Sequence, residues 1–166
     1  QVGEPSDIGM LIGALGDVYY AQGEYDKAIA HQKEWLAIAQ KDRTRFAEGI
    51  ALGSLGNIYE AKGDYPEAVA YHQRHLAIAQ ETNDLEMEGA ALGNLGSCYH
   101  SLNQYNKAKS YHKQHLALAQ KIGNRQGESN AVGGIGSALY NLCHYDSAKT
   151  YFLQQRDLAK DIGDIA

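Results

Sequence analysis

The sequence predicts an all-α fold, a right-handed α-solenoid of four helix-turn-helix repeats with eight helices. Prolines, which interrupt helices, occur only at Pro5 and Pro66, so nearly the whole chain is free to be helical. Within one repeat, Leu52, Leu55 and Tyr59 have the spacing of three and four residues that defines one helix face. The strongest indication is an unbroken period of 40 residues, clearest in a recurring tyrosine. Its copies are Tyr25, Tyr65, Tyr105 and Tyr145.

Composition fits one soluble domain over residues 1–166, with 44% hydrophobic and 21% charged residues. We expect repeats at about 6–45, 46–85, 86–125 and 126–164. The last repeat stops near Asp164 without a clearly polar capping helix, so we expect the chain to be part of a longer protein.

The charge pattern argues against several classes of partner. The net charge is −5 and no Lys/Arg stripe is present, which argues against nucleic acid. No apolar run approaches the length that spans a membrane. The sequence begins without a basic segment and an apolar core, so no signal peptide is expected and the cytoplasm is the default location.

A tight turn should join the two helices of each repeat. In the second repeat the second helix is predicted to begin at Pro66, whose fixed φ suits a first turn. Gly23 and Gly63 stand where a left-handed residue would end the first helix, and Asn103 takes this place in the third repeat. Cys143 departs from the pattern, which predicts mild strain or a different turn, because cysteine is sterically disfavoured in the left-handed region.

Glycines recur along the first helices, although each lowers helix stability by about 1 kcal/mol relative to alanine. We favour a structural interpretation, in which their spacing of four and three lets adjacent first helices approach closely. The alternative is that they let a ligand's backbone near the surface. The series is Gly9, Gly13, Gly16, Gly49, Gly53, Gly56, Gly89, Gly93 and Gly96.

The second helices contain HxxH pairs, His72 with His75 and His112 with His115, which could in principle hold a metal. The other repeats have aromatic and amide residues at these places, which suits packing better than ligation. We therefore predict no metal site.

The remaining reactive residues do not predict an enzyme or a cofactor. A carboxylate recurs in the first turns, where the helix dipole favours it, and two separated cysteines are interpreted as reduced, packed thiols. No nucleophile has a plausible base, and no phosphate-binding motif is present. The residues concerned are Glu48, Glu88, Glu128, Cys98 and Cys143.

The repeated residues resemble the tetratricopeptide repeat, and the resemblance extends over essentially the whole chain. In the second repeat they are Leu55, Gly56, Tyr59, Gly63, Tyr65, Ala68 and Leu76. The segments 71–80 and 91–96, with the tripeptide at 55–57, resemble the Leu-Gly-Asn repeat adaptors that include Pins. Those adaptors hold extended segments of partner proteins in a concave groove, and the resemblance implies the same mode here. Similar 40-residue repeats also occur in bacterial signalling and regulatory proteins.

The groove should be lined by the first-helix face opposite Leu52, Leu55 and Tyr59, by an angular count of 100° per residue. This face is small and polar, with asparagines that can pair with peptide amides or can simply be solvated. Its few aromatic residues could contact a partner or cover a neighbouring helix. The predicted peptide-binding residues are Asp17, Tyr20, Asn57, Glu60, Asn94, Ser97, His100, Asn130, Ser137, Tyr140 and Asn141.

The predicted groove lacks cations. No Lys or Arg occurs in segments 9–21, 49–61, 89–101 and 129–141. The Leu-Gly-Asn adaptors typically carry arginine where this chain has Ile50, Ala90 and Asn130. Since acidic peptides need cations, we expect a neutral or basic partner segment.

The sequence is consistent with two functions, which belong to different classes. The leading hypothesis is a scaffold that binds a protein or peptide partner in its concave groove, without chemistry. The alternative is a structural assembly module that self-associates through its solenoid ends, because an uncapped terminal hairpin exposes apolar surface.

Overall fold

The computed structural model describes residues 5–163, which form eight α-helices and no strand. The start of the chain and the predicted last boundary at Asp164 lie outside the described residues. The predicted all-α class of helix-turn-helix repeats is confirmed. The helices are α1 (Pro5–Ala21), α2 (Tyr25–Lys41), α3 (Arg45–Lys62), α4 (Tyr65–Thr82), α5 (Leu85–Ser101), α6 (Tyr105–Ile122), α7 (Arg125–Asn141) and α8 (Tyr145–Ile162).

The helices group into two compact units that meet in sequence after Met87. In the first unit α1 packs on α2, α2 on α3 and α3 on α4. Its apolar core includes Leu52 and Leu55, as the predicted core face requires, and half-buried Tyr59 packs against them. In the second unit α6 packs on α7 and α7 on α8.

Left-handed residues form the turns within the hairpins, as predicted. Gly23 and Gly63 have φ values of 76° and 83°, and Asn103 has 57°. Cys143 has the same conformation, with φ of 61°, so the fourth repeat keeps the common turn. The Cys143 amide donates to the Tyr140 carbonyl at 3.0 Å, which matches the 2.9 Å bond from the Gly63 amide to the Glu60 carbonyl two periods earlier. Of the two predicted outcomes, the structure therefore has the strained one: Cys143 adopts the left-handed conformation, and the turn is unaltered.

The glycine pairs of the first helices contact the second helix of their own hairpin. The prediction that they bring adjacent first helices together is wrong for these pairs, although close approach is indeed their role. A Cβ added at Gly96 would lie 2.5 Å from Cε1 of His112, and one at Gly93 would lie 3.1 Å from Nδ1 of His115. The paired positions are Gly13 with Trp35, Gly16 with Gln32, Gly53 with His75, Gly56 with His72, Gly133 with Gln155 and Gly136 with Phe152.

Gly49 shows the contact originally predicted for the series. A Cβ there would lie 2.7 Å from Sδ of Met87, which belongs to the next first helix, α5. The adjacent-helix interpretation therefore applies to Gly49.

The first-turn glutamates Glu48 and Glu128 accept hydrogen bonds from an arginine of their own helix, and Glu48 also accepts one from the preceding helix α2. Buried Glu48 accepts hydrogen bonds from Arg45 Nη1 at 2.7 Å and from Gln40 Nε2 at 2.9 Å. In the fourth repeat, Arg125 Nη1 donates to Glu128 Oε2 at 3.3 Å. These partners give the carboxylates a structural role beyond the helix dipole.

Replacing Gly96 by alanine should destabilise the protein by about 1–3 kcal/mol, because the new methyl group would overlap the His112 ring. Gly89→Ala is the matched control on the same helix, since its Cβ would have no neighbour nearer than 3.7 Å. That control should gain up to about 1 kcal/mol from helix propensity. Urea unfolding of both variants gives the comparison, and equal stabilities would contradict the packing role.

Cys143→Gly should stabilise the fold by up to about 1 kcal/mol, because glycine adopts a positive φ without the steric penalty. Cys143→Ala is the control, since it removes the thiol but keeps the left-handed strain. Thermal unfolding should show a higher midpoint for the glycine variant alone. A similar rise of the unfolding midpoint in both variants would show that loss of the thiol, and not relief of backbone strain, causes the stabilisation.

Candidate peptide-binding surface of the first helices

All of the predicted binding residues lie on first helices, at exposed or half-buried positions. None is in the core. On α1 and α3 they are Asp17, Tyr20, Asn57 and Glu60; on α5 and α7 they are Asn94, Ser97, His100, Asn130, Ser137, Tyr140 and Asn141.

Asp17 is held by Gln32, a contact that the sequence did not predict. The buried Gln32 side chain donates from Nε2 to Asp17 Oδ1 at 2.8 Å and to the Gly13 carbonyl at 3.0 Å. Burial raises the pKa of Asp17, and the hydrogen bond from Gln32 partly opposes that shift. The carboxylate is thus held at a defined position on α1.

The second unit contains a polar depression of about 410 Å³, here called the serine pocket. It brings together four of the predicted residues from α5 and α7, and no Lys, Arg, Asp or Glu lines it. Its lining is Ser97, His100, Ser101, His112, Asn130, Gly133, Gly134, Ser137 and Gln155.

The second helices supply part of the serine pocket through His112 and Gln155, which sequence reasoning assigned only to packing. The His112 ring lies between two first helices. A Cβ added at Gly134 would lie 2.5 Å from its Nε2, and a Cβ added at Gly96 would lie 2.5 Å from its Cε1. The one available signal was the doublet Gly133-Gly134, because the other repeats have Ala14, Ser54 and Asn94 at the second place.

The serine pocket is uncharged. Burial lowers the pKa of His112 to about 4, with smaller effects from His115 and His100 in the same direction. The neutral imidazole, hydroxyl and amide groups can donate and accept hydrogen bonds without attracting an ion. This chemistry suits a peptide backbone or an uncharged polar side chain.

His100 and Asn141 form a pair at the edge of the pocket. Asn141 Nδ2 donates to His100 Nε2 at 3.1 Å and to the Ser137 carbonyl at 2.9 Å. Because an amide nitrogen can only donate, His100 Nε2 is the acceptor, which places its ring proton on Nδ1. The two side chains therefore hold one another across α5 and α7.

The three aromatic candidates pack on tyrosines that open the next helix of their own hairpins. The ring centroids are 6.1 Å apart for Tyr20 and Tyr25, and 5.6 Å apart for Tyr140 and Tyr145. His100 meets Tyr105 edge to face at 5.3 Å. Tyr140 nevertheless remains 57% exposed, so covering a neighbour leaves much of its ring available.

The histidines of the HxxH pairs lie against glycines of the first helices, and His72 Nε2 is also 4.0 Å from Glu60 Oε2. His72 is fully buried, and neither of its ring nitrogens has a hydrogen-bond partner. Burial lowers its pKa to about 4, with a smaller contribution from His75. A neutral ring set against glycine behaves here as an aromatic side chain, the kind of residue that Phe152 supplies one repeat beyond His112.

The family model for the tetratricopeptide repeat matches residues 7–81 and 87–161, and so covers most of the chain. The chain belongs to the tetratricopeptide repeat family. No curated protein sequence matches it. In the described part of this tetratricopeptide repeat protein, no helix is both long and apolar enough to cross a membrane.

Solved structures share the fold at low sequence identity. The chain is similar to aspartyl phosphate phosphatase F from Bacillus subtilis, with 18% identity and a TM-score of 0.92 over 99% of this chain. It is also similar to a signal transduction ATPase with a tetratricopeptide repeat sensor from Pyrococcus horikoshii, with 21% identity and a TM-score of 0.91 over 98% of this chain. A third is a Rap protein complexed with Competence and Sporulation Factor, with 19% identity and a TM-score of 0.86 over 98%.

This chain spans only part of each of those proteins. It covers 43% of the phosphatase, 25% of the ATPase and 45% of the Rap protein. The similarity therefore concerns the repeat fold.

The buried histidines should make this tetratricopeptide repeat protein sensitive to acid. Both His72 and His112 have a folded-state pKa of about 4, below the unfolded value of about 6.5. The unfolded chain binds more protons between those values, so stability is full above pH 6.5 and falls as the pH drops towards 4. The loss at pH 5 should be on the order of 2 kcal/mol for each histidine.

The double variant His72→Phe, His112→Phe should flatten this pH dependence, since phenylalanine occupies the equivalent place in the fourth repeat. Urea unfolding at pH 7 and pH 5 measures it. His144→Gln, at an exposed histidine, is the control. An unchanged slope in the double variant would show that other groups cause the acid sensitivity.

Proposed function

We propose that this tetratricopeptide repeat protein is an interaction scaffold that holds a neutral or basic, extended partner segment against its first helices. The observation that carries the proposal is the serine pocket, where Ser97, His100, Asn130 and Ser137 converge without any charged neighbour in the lining. Uncharged side chains can exchange hydrogen bonds with the amides and carbonyls of a peptide main chain, and the glycines in the lining allow that chain to approach closely.

The electrostatics of the first helices support the same partner class. Their central segments contain no Lys or Arg, and the first unit adds exposed Asp17 and half-buried Glu60. An acidic segment would find no cation to compensate its charge there. A basic segment would gain from the carboxylates, and this gain should decrease with salt.

The relatives support a binding role in general terms. One similar structure is a Rap protein complexed with Competence and Sporulation Factor, and another contains a tetratricopeptide repeat sensor. The Leu-Gly-Asn adaptor mode, with an extended segment in a concave groove, is the specific form that we propose. We further propose a signalling role in the cytoplasm; the similar signal transduction ATPase with a tetratricopeptide repeat sensor supports the signalling part.

The proposal assigns no catalytic step to this chain. Aspartyl phosphate phosphatase F is named for an enzymatic activity, but this chain covers 43% of that protein. The candidate surface presents hydroxyl, amide, imidazole and carboxylate groups, to which we assign recognition only.

A library of extended peptides with uncharged, basic and acidic members tests the partner class. The wild type should select uncharged and basic peptides. Ser97→Arg, which adds bulk and a cation to the serine pocket, should weaken binding of the selected peptides at least about tenfold, or about 1.4 kcal/mol. Fluorescence anisotropy provides the affinities.

Ser110→Arg is the matched control, because it makes the same substitution at an exposed serine on α6, away from the serine pocket. It should bind as the wild type does. Equal loss in both variants, or selection of acidic peptides by the wild type, would refute the proposal. Circular dichroism confirms that each variant keeps its helices.

A further inference from the structure

The serine pocket contains a buried polar side chain with unused hydrogen-bonding capacity. His112 lines the pocket and is only 6% exposed, and its Nδ1 has no hydrogen-bond partner among the described residues. No hydrogen bond at Nδ1 therefore fixes the tautomer of the ring, so Nε2 can carry either the proton or the lone pair. Because buried polar groups normally have partners, this ring is a candidate contact for a ligand.

The ring of His112 reaches the first-helix surface through Gly134. A Cβ at Gly134 would lie 2.5 Å from both Nε2 and Cδ2 of the ring, so the imidazole occupies the space that a side chain of α7 would otherwise fill. The first three repeats have Ala14, Ser54 and Asn94 at this place. Gly134 also lines the pocket, so the edge of the ring that carries Nε2 lies at the pocket wall.

Two further pocket residues have part of their hydrogen-bonding capacity assigned. Ser97 Oγ donates to the Gly93 carbonyl at 3.3 Å, which leaves the hydroxyl oxygen to accept. Asn130 Oδ1 accepts from Gln126 Nε2 at 3.1 Å, which leaves the amide hydrogens of Asn130 to donate. The pocket therefore offers a ligand an acceptor and a donor in addition to the imidazole.

The pocket gives no compensation to a charged group. No Lys, Arg, Asp or Glu lines it, and burial lowers the pKa of His112 to about 4, so the imidazole is neutral at pH 7. A carboxylate or an ammonium group that entered would lose hydration without gaining a counter-charge. The side chain that occupies the pocket should therefore be polar and uncharged.

A primary amide matches these groups better than other uncharged chemistry. Its carbonyl can accept from Asn130 while its two amide hydrogens donate to Ser97, and it can pair with His112 Nε2 in either tautomer. A main-chain amide has the same atoms, but its N–H and C=O point in opposite directions across the trans peptide plane. An aliphatic side chain would leave all three pocket groups unpaired.

We infer that the serine pocket binds the primary amide of an asparagine or glutamine side chain in the partner segment, with His112 as its buried hydrogen-bond partner. The inference rests on the proposed function, since it names the side chain that the scaffold selects at this place. His112 is thereby a specificity-determining residue supplied by a second helix.

Four capped peptides test the inference, acetyl-Ala-Ala-Xaa-Ala-Ala N-methylamide with glutamine, methionine, glutamate or lysine as Xaa. The methylamide cap leaves the glutamine side chain as the sole primary amide. Methionine has a similar length without the amide, and glutamate has a similar shape with a charge. NMR titration of the Ser97 and Gly134 amide signals should show at least about fivefold tighter binding of the glutamine peptide at the pocket.

The variant His112→Phe should abolish the preference for glutamine over methionine. Phenylalanine keeps an aromatic ring, as Phe152 does at the equivalent place of the fourth repeat, but it has no ring nitrogen. His72→Phe is the matched control, because His72 is also buried against a glycine, Gly56, and does not line the pocket. That control should keep the preference.

The ¹⁵N signals of the histidine rings provide a measurement that requires no variant. In the wild type, the Nε2 signal of His112 should shift when the glutamine peptide is added, because a new hydrogen bond forms there. The His72 ring signals should stay in place. A glutamine peptide that binds without shifting His112 Nε2 would overturn the inference.

Equal affinity of the wild type for the glutamine and methionine peptides would also overturn it, as would a glutamine preference that survives His112→Phe. If all four peptides bound equally and Ser97→Arg weakened them all, the inference would fail while the interaction scaffold would stand. Selection of acidic peptides from the library would instead refute the proposed function.

Discussion

Each hairpin of this protein depends on one close contact, in which two glycines of the first helix receive two large side chains of the second. Gly96 and Gly93 set against His112 and His115 show the distances involved, and a methyl group at Gly96 would have no room. The contact explains why residues that weaken an isolated helix recur at fixed places. Their loss of helix propensity is offset by buried ring area and by close approach of the two backbones.

The partner of the glycine pair changes while the glycines stay. Tryptophan and glutamine fill the space in the first repeat, paired histidines in the next two, and glutamine and phenylalanine in the last. The shared property is size, since these residues have no common acid-base or metal chemistry. Histidine in this setting is held neutral by burial, and its role resembles that of the aromatic residues that replace it.

The predicted binding residues lie on the same first helices, at exposed or half-buried positions. These residues are mostly serine and asparagine, with two carboxylates and a few aromatic rings. In the second unit this composition forms the uncharged serine pocket, and the doublet Gly133-Gly134 keeps its floor open to His112. Under the proposed function, packing and binding would share these glycines, so the structural and functional interpretations of them are compatible.

The sequence by itself determined the helices, their order and their turns. A period of 40 residues, the spacing of Leu52 and Leu55, and glycine or asparagine at the left-handed turns are local signals, and local signals suffice when every repeat is built alike. It also placed all of the candidate binding residues outside the core, because each residue of a helix is rotated by about 100° from the one before, so its position in the sequence gives its face.

Tertiary structure decided which residues from different helices meet. Sequence periodicity carries no information on the partner of a given glycine, so the contacts of Gly96 and Gly93 with the second helix were not anticipated. For the same reason His112 and Gln155 were not recognised as pocket residues, and the pairing of His100 with Asn141 was not foreseen. Leu11 is exposed, whereas Ala51, at the equivalent position of the next repeat, is buried. This difference depends on which helices pack against each residue, and two repeats with the same local pattern can differ in that respect.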